Sequence, residues 1–346
     1  STNIDTGATV LLRNPTRTFG IVAHEFFHTW NVKRVRPEEL GPFRYDREVY
    51  TTGMWVAEGW TSYYDEQHLV RAGLNSVEDF WPRMARTIAR FENTHARQWL
   101  SAEEASRRYW LNKPGDRVLS YYTAGQVLAL LLDVEIRANT KGARGLDSVF
   151  RILEAQRVAG DDRGYGFGGG YSAADVEAAV AAISGDRLGG VSVSEWFDRY
   201  VRGTMTPDYQ AVLAKAGLTC SIEWREGTRL RGIQELGDRL VFVDRRTLDG
   251  GDRTGALDPL RAAGTVVSVA GEKVTSLADV QKLLEGVPVD TEIQVGFQMM
   301  DGRERRAMAF VERTQRARVK VEPMADATPE QLAVRNSLLA GDPLPR

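Results

Sequence analysis

A chain of 346 residues, 42% apolar and 27% charged, has the composition of an ordinary globular protein and the length for two domains. The net charge of −2 gives no sign of a nucleic-acid partner, and no apolar run reaches the roughly 18 residues of a transmembrane segment. The single cysteine, Cys220, excludes an internal disulfide and says little about compartment.

Residues 17–216 read mainly as helices. In "TFGIVAHEFFHTW", Phe19, Val22, Phe26 and Trp30 recur near the helical period and form an expected packing face. "MWVAEGWTSYYDEQHLVRAG" is a second helix that stops at Gly73. "SVEDFWPRMARTIARFENTHARQWL" begins with a capping-box-like Ser76 and Asp79. "SYYTAGQVLALLLDVEIRANTKG" reads as a buried helix, interrupted only by Asp133 and Glu135. Three more helical segments come next, around a glycine-rich loop, "DDRGYGFGGGY", that lacks the Lys-Ser/Thr of a phosphate cradle and reads as a connector. From about residue 217 short β-branched runs take over, with one helix, "SLADVQKLLEG", N-capped by Ser276. A boundary falls at 214–219, and the proline-containing tail from 323 is expected to be loosely packed.

The chemistry concentrates in "HEFFH". Histidines four apart on a helix share a face, so His24 and His28 can offer imidazole nitrogens to one Zn2+ ion. Glu25 falls beside them, where a carboxylate can take a proton from water that zinc has made more acidic. A catalytic zinc takes a third protein ligand. The metzincin continuation is excluded, because Asn31 and Arg34 stand where its glycine and last histidine would be. Glu58, in the apolar stretch "WVAEGW", is the expected third ligand, since a bare carboxylate is costly to bury there. Asp65 and Glu66 are expected to support the ligands or lie on the surface, and His68 and His95 read as surface histidines. An oxyanion donor is also needed, and the pattern leaves Tyr121 and Tyr122 both open.

"HEFFHTWNVKRVRP", "WVAEGWTSYYDE" and "SYYTAGQVLALLLDVEIR" together resemble the glycyl aminopeptidases, zinc peptidases related to aminopeptidase N that carry a C-terminal PDZ domain. The resemblance implies zinc held by His24, His28 and Glu58, with Glu25 as general base. The related enzymes carry their catalytic tyrosine in Y-x-x-G, which maps onto Tyr122 and Gly125. It implies an α+β chain: a mostly helical, thermolysin-like (gluzincin) catalytic domain over 1–216, a small β-rich PDZ-like domain over 217–322, and a tail over 323–346.

Two departures stand out. The family's G-[LM]-E-H-x-x-S-T stretch, whose glutamate grips the substrate amine, has no counterpart, and "STNIDTGATVLL" resembles the segment directly C-terminal to it. The chain is therefore expected to lack that element and an N-terminal β domain. In the PDZ-like region Ala263-Gly264 replaces the usual Gly-Asp, and the stretch expected to bind a carboxylate, "RLRGIQELGDRLVFV", matches poorly. The function expected is removal of N-terminal Gly or Ala from peptides. The rivals are endopeptidase action on the same centre and a PDZ-type scaffold that binds peptide C-termini beside a vestigial zinc site.

Overall fold

The computed structural model describes residues 15–42, 44–111, 118–159, 169–236, 239–243, 263–299 and 301–343. The opening stretch 1–14, most of the glycine-rich loop and residues 244–262 within the PDZ-like region lie outside them. The fold is α+β, in two units.

The first unit is built around one helix. After α1 (Pro15–Phe27) come a π-helical stretch (Trp55–Trp60) continuing into α2 (Thr61–Arg71), α3 (Val77–Glu92), the short α4 (Ala102–Arg107) and α5 (Tyr121–Asn139). Every residue of α5 from Thr123 to Arg137 is buried, as an all-round apolar helix requires. The unit continues with α6 (Leu146–Ala159), α7 (Ala173–Ser184), a hairpin of β1 (Arg187–Leu188) and β2 (Val191–Ser192), α8 (Val193–Tyr200) and α9 (Tyr209–Ala214). Ser76 caps α3 as expected, accepting from the Asp79 amide, and Ser120 caps α5 by accepting from that of Thr123.

The two acids that interrupt α5 are paired. Asp133 accepts from Tyr63 at 2.8 Å and forms an ion pair with Arg137, Nε to Oδ1 2.9 Å, and Glu135 meets Lys215 Nζ at 2.6 Å. The fully buried Arg137 also meets Asp342 Oδ1 at 2.9 Å. That contact corrects the expectation of a loose tail. Residues Pro329–Ala340 form a helix, opened by a complete capping box of Thr328 and Gln331 with proline at its first turn. Its Val334 and Leu338 are buried, and the Leu338 carbonyl accepts from Gln67 of α2 at 3.1 Å. The tail packs because its proline starts a helix instead of preventing one.

The second unit comprises Glu223–Arg318 among the described residues. Strands β3 (Leu218–Leu230), β4 (Ile233–Leu236), β5 (Arg239–Val243), β6 (Ala263–Val269), β7 (Glu272–Lys273), β8 (Glu292–Gln298) and β9 (Glu304–Pro323) form one sheet in the order β3-β9-β8-β6-β5-β4, with β7 on β6. The outer ends of β3 and β9 belong to the first unit. A separate core of Phe242, Val266, Val295, Phe297 and their neighbours is joined by α10 (Leu277–Leu283), which Ser276 and Asp279 cap reciprocally. Gly264 is needed here: a Cβ on it would lie 2.2 Å from the Phe297 ring. The tail helix is α11.

Candidate active site

Three elements of the first unit meet at one point. Helix α1 brings His24, and His28 comes just after its last turn while still bonding back to the His24 carbonyl at 3.3 Å. The π-helical stretch brings Glu58, and the start of α5 brings Tyr122. His24 Nε2 and His28 Nε2 lie 3.2 and 3.3 Å from the same Glu58 oxygen, Oε2. One ligand atom from each of the three residues falls within 4.8 Å of the others.

The other face of each imidazole explains why these nitrogens converge. His28 Nδ1 donates to the Asn31 carbonyl, and His24 Nδ1 donates to Asp65 Oδ2 at 3.1 Å. In the neutral rings both Nε2 atoms then carry lone pairs aimed at a carboxylate that also only accepts. Three acceptors facing one another require a cation. Two imidazole nitrogens and a carboxylate oxygen are the donor set of a catalytic zinc site, so the residues fit that ion.

Protons can take the place of that cation. Burial alone would lower the His24 pKa, but Asp65 and Glu58 outweigh it and raise the group to about 9. Burial likewise opposes the rise of His28, which Glu58 drives. Glu58 is held down at about 2 by the two histidines against its own burial. Asp65 is pushed up to about 6 by burial, with His24 pulling it back. The Tyr122 phenol is raised by burial and then by the Glu58 charge, so it stays protonated and able to donate.

Backbone packing puts Glu58 and Tyr122 together. A Cβ on Gly59 would lie 2.4 Å from Gly125 Cα, and one on Gly125 would lie 2.0 Å from the Trp55 carbonyl oxygen. Only glycine at both positions lets α5 close on the π-helical stretch. Tyr122, one turn before Gly125, is thereby set against His24, its ring centroid 6.1 Å from that of the imidazole. Tyr121 stacks behind it at 4.9 Å and packs partly into the core.

Asn31 is the residue that sequence reasoning passed over, using it only to exclude the metzincins. It is fully buried, and its side-chain amide donates to the carbonyls of Val56 at 2.9 Å and Ala57 at 3.1 Å. A π-helical turn displaces carbonyls from their usual partners, and Asn31 supplies replacements. Its backbone carbonyl holds His28. One residue therefore ties the two donor-bearing segments together; the signal was a lone amide within the apolar run "FFHTWNV".

The remaining candidates have separate places. Glu25 lines an open cleft of about 660 Å³ with His24, Asp65 and Tyr122. Glu66 pairs with Arg83 at 3.3 Å. His68 is not a surface histidine: it is half-buried against Phe27 and Tyr64, and burial, helped by Arg71, lowers it to about 4. His95 is exposed against Trp99. Neither joins the donor cluster. The stripe Phe19, Val22, Phe26 and Trp30 is 36–60% exposed, so it is not the expected packing face; Phe27 is the buried aromatic of the helix.

Residues 17–128, which hold every side chain just described at the donor cluster, match a peptidase family. That family is the M61 glycyl aminopeptidases, the one that the motifs resemble, and the match is confined to this segment. Among solved structures the chain is similar to an aminopeptidase N family protein from Idiomarina loihiensis, with a TM-score of 0.60 and 16% identity. The match covers 96% of this chain and 56% of that one, and at this identity the likeness is one of fold. No curated protein matches the chain. Among the described residues no helix is long and apolar enough to cross a membrane.

Proposed function

We propose that the chain is a zinc-dependent aminopeptidase acting on small N-terminal residues, glycine or alanine. The observation that carries this is the convergence of His24, His28 and Glu58 beside a cleft that Glu25 and Tyr122 also line. His24, His28 and Glu58 would hold the ion, and Asp65 and Asn31 fix the two imidazoles in the tautomer that leaves Nε2 free to bind it. When bound, zinc supplies Lewis-acid activation of water and of the scissile carbonyl. Glu25 takes a proton from the attacking water as the C–O bond forms, and returns it to the departing amine nitrogen as the C–N bond breaks. Tyr122 donates a hydrogen bond to the carbonyl oxygen while that oxygen is negative. The preference for glycine rests on the family description, and its extension to alanine on the resemblance of the motifs.

The test pairs metal content with hydrolysis of Gly- and Ala-arylamides. Glu25→Gln is expected to keep zinc and lose turnover by at least about a hundredfold. Undiminished turnover in that variant would remove Glu25 from the role, and a chain that takes up no zinc would remove the metal.

For the second unit we propose a PDZ-like fold that binds a peptide C-terminus by strand addition at a sheet edge. The antiparallel sheet with α10 against it supports this reading. A free-acid peptide should bind and its C-terminal amide should not; equal binding of both would end the proposal.

A further inference from the structure

The cleft beside the donor cluster has a wall that the proposed hydrolysis does not use. Besides His24, Glu25, Asp65 and Tyr122 it is lined by Ser62 and Glu66 of α2 and by Arg83 and Arg86 of α3. Arg83 and Arg86 are three apart and share a helix face. Arg83 is committed, donating to Glu66 Oε1 at 3.3 Å. The other oxygen of Glu66 is buried without a hydrogen-bond partner, so Glu66 does not serve Arg86 as well. Arg86 is exposed, and among the described residues no carboxylate lies within ion-pair distance of it. With Asp65 turned to His24 and Glu66 to Arg83, Arg86 is left among the described residues as an unpaired guanidinium at the cleft.

The wall is also firmly placed. Phe80, Trp81, Met84 and Ile88 bury the opposite face of α3. Thr87 donates to Gln126 of α5 at 3.2 Å, and Gln126 donates to the Ser62 carbonyl of α2 at 2.9 Å. An uncommitted guanidinium on a fixed helix beside a hydrolytic centre has the geometry to receive a planar anion. A volume of about 660 Å³ is that of a small-ligand site, and three extended residues span only about 10 Å.

We propose that Arg86 pairs with a carboxylate of the peptide substrate, so that the cleft selects short peptides carrying such a group beyond the scissile bond. The proposal rests on the peptidase reading above and adds a substrate class to it. The carboxylate can be the peptide's own C-terminus or an acidic side chain.

Three peptides separate these sources: Ala-Gly-Gly as free acid, Ala-Gly-Gly amide and Ala-Gly-Glu amide. They would be compared by kcat/KM on the zinc-loaded chain and by calorimetric binding to its Glu25→Gln variant. At least one carboxylate peptide is expected to exceed Ala-Gly-Gly amide by about tenfold in both measurements. An advantage for the free acid alone identifies the terminus, and one for the glutamyl amide identifies the side chain. Arg86→Gln should reduce the advantage to about one while leaving the plain amide unchanged. Equal handling of all three peptides by the unsubstituted chain, or an advantage that survives Arg86→Gln, overturns the proposal. If nothing is cleaved although zinc is bound, the peptidase reading fails, and the binding comparison still decides for or against Arg86.

Discussion

The two segments that supply the candidate metal donors are held in opposite ways. Helix α1 carries the recognisable H-E-x-x-H pattern, yet Phe19, Val22 and Phe26 are exposed, and among its described apolar side chains Phe27 is the buried one. The stretch Trp55–Trp60 carries a single donor, yet all its other residues are buried and its backbone touches that of α5. The stronger motif sits on the less embedded element. Donor identity is written in side chains, whereas donor placement is enforced by backbone contact, and the two need not coincide.

The hardest test of that contrast is Gly125→Ala. The added methyl would lie 2.0 Å from the Trp55 carbonyl, too close for backbone on either side to remain in place. Overpacking of this kind costs about 1–3 kcal/mol. Because the displaced segment carries Glu58, zinc affinity should fall together with the thermal midpoint. A Gly125→Ala chain of unchanged stability and unchanged zinc affinity would show that the close approach does not set the donor geometry.

Asn31→Asp asks a narrower question at the junction of the two segments. The substitution keeps the size but turns the amide donor towards Val56 and Ala57 into an acceptor facing acceptors. The backbone carbonyl that holds His28 remains. Leaving buried carbonyls without their donor costs about 1–3 kcal/mol, and because the affected stretch carries Glu58, zinc affinity is expected to fall as well. Zinc competition titration would read it, with the thermal midpoint of the metal-free chain measured alongside. If the midpoint falls but affinity does not, Asn31 supports the fold alone.

These residues also show where the sequence was readable. His24, Glu25 and His28 are close in the chain, and helical spacing puts the two histidines on one face with Glu25 beside them. Glu58 stood out because a carboxylate among tryptophans needs a partner. Tyr122 was separated from Tyr121 only by resemblance, and the physical reason, a glycine one turn on that admits the neighbouring backbone, is a contact between segments more than 60 residues apart. The π-helical turn leaves no compositional mark, since one extra residue per turn changes no side chain. The return of α11 was hidden for a similar reason: Gln67 meets the Leu338 carbonyl across 271 residues, beyond the range of any local pattern. Apolar periodicity in α1 predicted the helix and misassigned its inner face, because periodicity gives the stripe but not what covers it.

The smallest effect is expected on that misassigned face. Phe26 is 60% exposed and touches Trp30, ring centroids 5.6 Å apart, rather than the core. A substitution away from buried groups and bonded networks changes stability by no more than about 0.5 kcal/mol. Phe26→Ser should therefore leave the thermal midpoint and zinc affinity of this chain nearly unchanged, although the residue adjoins Glu25 in sequence. A loss of about 2 kcal/mol would mean that the outer face of α1 is covered in solution. In that case the helix would be embedded on both sides like the segment that carries Glu58, and the contrast between the two donor-bearing segments would disappear.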